Sequence, residues 1–315
     1  MGGRARVKPP IKIMIDDKKI NGGPTTYENW YELGHTIIPC EKGRPKKDIK
    51  GWSTPNFKIT KEEWKNKHFD AEIALRLDTL VDLDVDNSIA KRFIDKYIIT
   101  CGAISGRPGN PKSHYWWRAQ LEAKKFLLPK ELKKYYEHAP HGACLCEIRS
   151  TQKCYTIVPG SLYSKNHEHV RWEHYDGIKK YSGDLNKDLR KIALSTALCI
   201  LYAPKGHRDD YCTAIAGVLV KQTDWDDNEI NEFIYNLAVE SNDDECEFRK
   251  TKGTTSRNSK RAFGIPKIAK ILDCTVSTVA YLFSWVGAED KSLVDVKIIA
   301  DESIGDIIEY GHDRY

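Results

Sequence analysis

Residues 80–87, LVDLDVDN, alternate apolar and acidic positions with a period of two. A strand sends successive side chains to opposite faces, so Val81, Leu83 and Val85 share one face while Asp82, Asp84 and Asp86 share the other. With the preceding residues, EIALRLDTLVDLDVD reads as a hairpin whose second strand carries the aspartates. Upstream, TTYENWYELG is a capped helix closed by Gly34, HTIIPC a short strand and KITKEEWKNK a second short helix. Downstream come a helix, SIAKRFIDKYI, and two strands, SHYWWRA and ACLCEIRSTQKCYTIVP, each behind turn residues. After about Asp184 the spacing becomes helical: LNKDLRKIALSTALCILYA, DDYCTAIAGVLVKQ, DDNEINEFIYNLAVE and STVAYLFSWV are separated by polar or glycine-containing breaks. The pattern predicts an α+β fold, with a mixed or antiparallel sheet over residues 25–180 and a small all-helical domain over 186–286. Residues 1–24 form a basic, flexible arm carrying Arg4, Arg6, Lys8, Lys12, Lys18 and Lys19, and 287–315 a linker or tail.

Composition narrows the class. The chain has 315 residues, 40% hydrophobic and 30% charged, which excludes disorder and allows an ample core. A net charge of +5 permits a polyanionic partner without demanding one. Nine cysteines, an odd number, with no signal peptide or long apolar segment, predict reduced thiols, a cytoplasmic location and no membrane partner. A second basic cluster, RKTKGTTSRNSKR from Arg249 to Arg261, lies between helical segments; it reads equally as a phosphate contact or a solvated surface run.

Candidate chemistry begins with the aspartates. Carboxylates on one strand face, with Cα atoms about 7 Å apart, repel each other, and burial raises their pKa values unless a cation compensates. Magnesium and manganese favour such hard oxygen ligands. The plainer reading has Asp86, with Asn87 and Ser88, capping the next helix while the other two pair with lysines. In SGRPGNPKSHYWW, a tight turn carrying Arg107, Lys112 and Ser113 delivers His114 onto a strand where His114, Trp116 and Arg118 share a face. In CLCEIRSTQKCYTIVPGS, Glu147 and Arg149 share a face, offering a third carboxylate and a planar phosphate clamp, or merely a surface ion pair. Gln152 and VPGS shape a turn where a nucleotide could lie. His141, Cys144, Cys146 and Cys154 are of zinc-ligand type, but cysteines one residue apart on a strand are no knuckle, so zinc is not expected. HEHV, residues 167–170, is a weak metal signal in a polar loop.

An Asp-x-Asp strand, a turn ending in histidine and a strand with an acidic residue followed by arginine stand in that order. The set resembles the archaeo-eukaryotic primase superfamily, specifically the bifunctional primase-polymerases of phages, plasmids and other mobile elements. YENWYELGHTIIPCEKGRPKKDIKGW looks like that family's opening helix, strand, basic loop and following tryptophan. EIRSTQKCYTIVPGSLY with VRWEHY is similar to its later stretch, and GHRDDYCTAIAGVLVKQTDWDDNEINEFIYNLA to the helical domain that often follows; coverage is about 27–272. The resemblance implies an RRM-like catalytic fold and template-dependent nucleotidyl transfer. It puts the metal-binding pair on Asp84 and Asp86, with Asp82 an additional carboxylate or, in the alternative register, Asp82 with Asp84. Glu147 falls on the third acidic position, often aspartate in the family, and His114 on its histidine. Arg107, Lys112, Ser113, His114, Arg149 and Gln152 would bind the incoming triphosphate. Lys46, Lys47, Trp52, Arg171, Trp172, Lys252 and Arg257 would contact DNA. The implied cofactor is Mg²⁺ or Mn²⁺, and the implied partners are single-stranded DNA template and dNTP or NTP; whether a replicative helicase joins them stays open. The competing readings are a metal-dependent nuclease of a replication initiator and a non-catalytic nucleic-acid-binding module.

Overall fold

The computed structural model describes residues 22–138, 143–259 and 264–288; the basic arm up to residue 21, His141, Arg261 and the tail after 288 lie outside these. The fold is α+β with an antiparallel sheet. Thr26 and Asn29 form a reciprocal capping box that starts α1 (Tyr27–Glu32) and leaves Tyr27 and Trp30 buried. Then follow β1 (Ile37–Glu41), β2 (Arg44–Pro45) and α2 (Lys61–Glu63), which continues as a π-helical stretch to His68. The sheet is completed by β3 (Glu72–Asp84), β4 (Ala103–Arg107), β5 (Asn110–Arg118), β6 (Lys124–Leu127), β7 (Cys144–Ile157) and β10 (Arg171–Tyr175). A separate small hairpin joins β8 (Leu162–Tyr163) to β9 (Glu168–His169), and α3 (Ser88–Tyr97) follows β3.

The spine is β3. It pairs with β7 along most of its length, with β1 beside its first residues and β5 beside its last; β4 and β10 extend the sheet beyond β5. Here the structure corrects the expected hairpin: Glu72 to Asp84 is one strand of 13 residues. The turn-like LDT within it is an irregularity, where the register against β7 shifts between Arg76 and Val81. Buried Arg76 braces this point, donating from Nε to Asp78 at 3.0 Å and from Nη1 to the Trp52 carbonyl at 2.9 Å. The shift changes parity. Leu75, Leu77 and Leu80 bury together with Trp30, Trp64 and Trp116, whereas Val81, Leu83 and Val85 point to the opposite core.

That opposite core runs into the helical region. The helices are α4 (Leu185–Ile200), α5 (Arg208–Gln222), α6 (Asp227–Glu240), α7 (Cys246–Arg249), α8 (Lys252–Asn258), α9 (Ile265–Leu272) and α10 (Val276–Ser284). Val81, Leu83, Tyr115, Trp117 and Ile148 of the sheet share one continuous buried cluster with Leu189, Ala193, Leu237 and Phe283 of the helices. Phe126 meets Trp285 edge-on at 5.2 Å, a favourable aromatic geometry. The change of period near residues 178–186 therefore marks a switch from strand to helix inside a shared core. Phe126→Ala should cost about 3–5 kcal/mol by opening a cavity at this junction. Urea unfolding followed by tryptophan fluorescence and by far-UV circular dichroism should give a single coincident transition; two separated transitions would mean the sheet and helices melt independently.

Candidate active site

Register builds the site. Opposite Asp84 stand His114 on β5 and Glu147 on β7; opposite Asp82 stand Trp116 and Arg149. Directly opposed residues share a sheet face, so Asp82, Asp84, His114, Glu147 and Arg149 come together from three strands. Ser113 is one residue out of phase with His114, and the structure corrects its expected role: it is buried on the other face. Asp86 lies just past β3 and is exposed, accepting a hydrogen bond from the Asn110 side chain. The helix cap is Asn87, whose Oδ1 accepts from the Ile89 and Ala90 amides at 2.9 and 3.3 Å. Asp86 is thus left out of the capping interaction.

Asp82 is fully buried, and its lone pairs are filled from within: His114 Nδ1 lies 3.0 Å from Oδ2, and the Thr156 hydroxyl donates to the same oxygen at 2.6 Å. This turns Asp82 from an expected metal ligand into the group that orients His114, since engaging Nδ1 leaves Nε2 as the nitrogen for a ligand. Asp84 and Glu147 converge on one guanidinium. Arg149 Nη2 bonds Asp84 Oδ2 and sits 3.1 Å from Glu147 Oε2, while Nε adds a second bond of 3.1 Å to Glu147. Burial pushes the Asp84 carboxyl up; Arg149 and His114 pull it back without cancelling the effect. Burial also works against the charge of Arg149, but Asp84 and Glu147 outweigh it.

The donor chemistry fits a hard divalent cation, because two carboxylates from neighbouring strands already converge on a positive nitrogen and Asp86 follows within two residues of Asp84. Among the described residues no three His, Cys, Asp or Glu side chains stand in ready-made ligand geometry, with Arg149 filling the point of convergence. Cys146 is buried in the core and Cys154 packs against the tryptophan cluster, while burial pushes the Cys144 thiol up to about 12.

The rim is basic. Lys91 of α3 donates to Asn110 Oδ1 and the Pro111 carbonyl, each at 2.7 Å, and Lys125 lies 3.8 Å from Glu147. Lys112 is exposed near the start of β5, with a left-handed φ of 49°. Arg107 pairs with Glu168 at 3.3 Å and lies over the Tyr163 ring. Gln152 is exposed at the irregular point of β7, next to Thr151 at φ 88°.

Other expected contacts are placed elsewhere or already engaged. Trp172 donates to the Pro24 carbonyl at 3.1 Å and packs against Trp30, Trp116 and Tyr175, so core packing replaces base stacking. Trp52 packs edge-on against Tyr155 in another cluster. Lys252 pairs with Asp209 at 2.7 Å, and Arg257 with Asp227 and the Trp225 carbonyl; both charges lace helices together. Arg171 pairs with Glu173 at 3.5 Å, Lys46 reaches the Lys67 carbonyl, and Lys47 is exposed. His167 and His169 are exposed on the β8–β9 hairpin.

Sequence reasoning missed Thr156, Lys91, Lys125 and Glu168. Thr156 is odd-numbered spacing away from Glu147 and Arg149, so simple alternation assigns it to the wrong face; only the register shift in β7 brings it to Asp82. The other three reach the site from elements whose approach is tertiary. Comparison of the chain with protein-family models, curated proteins and solved structures finds no match.

Burial disfavours the His114 imidazolium, but the Asp82 and Asp84 carboxylates outweigh it and hold its pKa above the ordinary value of 6.5. A histidine held charged in this way adds stability that is fully present below its unfolded pKa and lost as pH rises through the higher folded one. NMR titration should therefore place the His114 midpoint above about 6.5. In Asp82→Asn, where desolvation loses its main opponent, the midpoint should fall; an unchanged midpoint would contradict the assigned pairing.

Proposed function

We propose that this chain is a template-dependent DNA primase-polymerase of the primase-polymerase fold, transferring a nucleotidyl group from a nucleoside triphosphate to a 3′-hydroxyl on single-stranded DNA. The observation that carries the reading is the meeting of Asp84, Glu147, His114 and Arg149, from three separated segments, on one face of the sheet. Their order along the chain is the order that resembles the primase superfamily, and their spatial convergence supports a shared task.

Asp84, Asp86 and Glu147 would hold Mg²⁺ or Mn²⁺. When bound, the metal supplies activation of the attacking hydroxyl and charge neutralisation at the departing pyrophosphate. Arg149 is the residue that must move: its guanidinium balances Asp84 and Glu147 here and is free to turn its planar fork to phosphate when their charge is met otherwise. His114, held through Nδ1 by Asp82, presents Nε2 as a donor to a phosphate oxygen, and as an imidazolium it adds positive charge there. Lys91, Arg107 and Lys112 add cations around the same rim, which favours entry of a triphosphate.

Incubation with a primed template, labelled dNTP and Mn²⁺ tests the reading. Primer extension should fall to background in Asp84→Ala/Asp86→Ala, and Arg149→Lys, which keeps charge but loses the fork, should slow it by about a hundredfold. Strand cleavage without extension would favour a nuclease, and binding without either reaction a non-catalytic module.

A further inference from the structure

We infer that the β4–β5 turn is a built anion site for a phosphate group of the nucleotide, and that Glu168 fills it as an internal stand-in which that phosphate must displace. The inference rests on the triphosphate reading of Arg107, and adds to it the Gly109 amide, the Asn166 side chain and a competitor carried by the chain itself. Glu168 Oε1 accepts from the Gly109 amide at 2.5 Å. Its Oε2 lies 3.3 Å from Arg107 Nε and accepts from the Asn166 side-chain amide. A backbone N–H, a guanidinium and a carboxamide thus converge on one carboxylate, and these are donors that phosphate oxygens also take. The turn admits an oxygen here because it carries no side chain: a Cβ at position 109 would stand 2.7 and 3.1 Å from the two Glu168 oxygens. Pro108, just before it, fixes the local backbone and offers no N–H of its own.

The turn adjoins the carboxylates of the sheet face. Asn110 donates to Asp86, and Lys91 binds Asn110 Oδ1 and the Pro111 carbonyl at 2.7 Å each. The Arg107 guanidinium lies 4.9 Å from the centre of the Tyr163 ring, which favours a fixed plane for it. With Glu168 turned away, Arg107 has its charge released beside Lys91 and exposed Lys112. Glu168 rides on an element suited to yielding. β8 and β9 pair through Leu162 with His169 and Tyr163 with Glu168, apart from the main sheet. The β8 side is anchored: the Ser164 and Gly43 amides each donate to buried Glu72 at 2.7 Å, and the Val170 amide closes the stem on the Ser161 carbonyl at 2.9 Å. Glu168 meets the turn through its side chain, so rotation of that side chain opens the site while the anchored strand stays in place. A half-exposed ion pair is a weak restraint. A polyphosphate brings more charge to the same donors, whereas a singly charged anion offers only what Glu168 already supplies.

Calorimetric titration of the full chain with inorganic tripolyphosphate, without divalent ions, tests the inference. Glu168→Gln keeps an acceptor for the Gly109 amide but loses the charge; it should bind about tenfold tighter than the parent, the gain expected if Glu168 fills the site about nine-tenths of the time. Glu168→Asp, which withdraws the carboxylate by one methylene, should change affinity in the same direction. Gly109→Ala in the Glu168→Gln background should remove the gain, because the methyl takes the place of the phosphate oxygen. Glu41→Gln, which removes the same charge from the exposed end of β1, should bind as the parent does, separating a site from a general change of field. The gain should recur with dATP and be absent with a single-stranded oligonucleotide; a gain confined to the oligonucleotide would overturn the inference. So would equal or weaker tripolyphosphate binding in both Glu168 variants, the result of a purely structural brace. The titration needs neither metal nor template. An affinity gain with no primer extension would therefore defeat the polymerase reading alone, and primer extension without the gain would defeat this inference alone.

Discussion

A carboxylate sealed from water is tolerable only where donors fill its lone pairs, and the geometry of this molecule is organised around one such group. Asp82 sits on the central strand, its hydrogen-bond partner His114 on one neighbouring strand and Thr156 on the other. Removing His114 would take away the partner of both Asp82 oxygens, and removing Thr156 would leave a buried lone pair unfilled; either is costly in a low-dielectric interior. The three strands are consequently fixed in relative register at this point, and everything on the face two residues further along inherits that register.

What it positions is an electrostatic balance. Asp84 and Glu147 would repel each other on adjacent strands, yet a single guanidinium satisfies both. The arrangement is neither a neutral core contact nor a solvated surface pair: Asp84 is kept half-reluctant to ionise by burial, while Arg149 is kept charged by its two acids. The strands beneath this group of three are held by Asp82 and by the aromatic cluster around Trp116 and Trp30.

Local pattern made much of this legible. Alternation in LVDLDVDN identified the face of the aspartates, and the same rule set His114 and Glu147 with Arg149 on their own strand faces before any pairing was known. Of the helices after Asp184, α4, α5, α6 and α10 followed from their apolar spacing; the shorter α7, α8 and α9 did not, and the basic run from Arg249, read as lying between helices, contains α8. What alternation misread was parity across irregular points. LDT has turn-like residues, but the Arg76 clamp keeps the chain extended through them, and Thr156 reaches Asp82 only because β7 shifts phase. Roles of isolated tryptophans and basic residues were least legible: Trp172, Trp52, Lys252 and Arg257 carry side chains suited to nucleic acid, but their neighbours, supplied by distant segments, use them for packing and ion pairs.

The phase slip in the middle of β3 has a further consequence for how this chain can change over time. Ahead of it, odd-numbered leucines face the tryptophan cluster; behind it, even-numbered aspartates occupy that same side. Gain or loss of one residue at Asp78 or Thr79 would be absorbed only by inverting one half of the strand, turning either the leucines out of the tryptophan cluster or the acids into the core. Length in this short stretch is thus under tighter constraint than residue identity, whereas the turns at the sheet edges can vary in both.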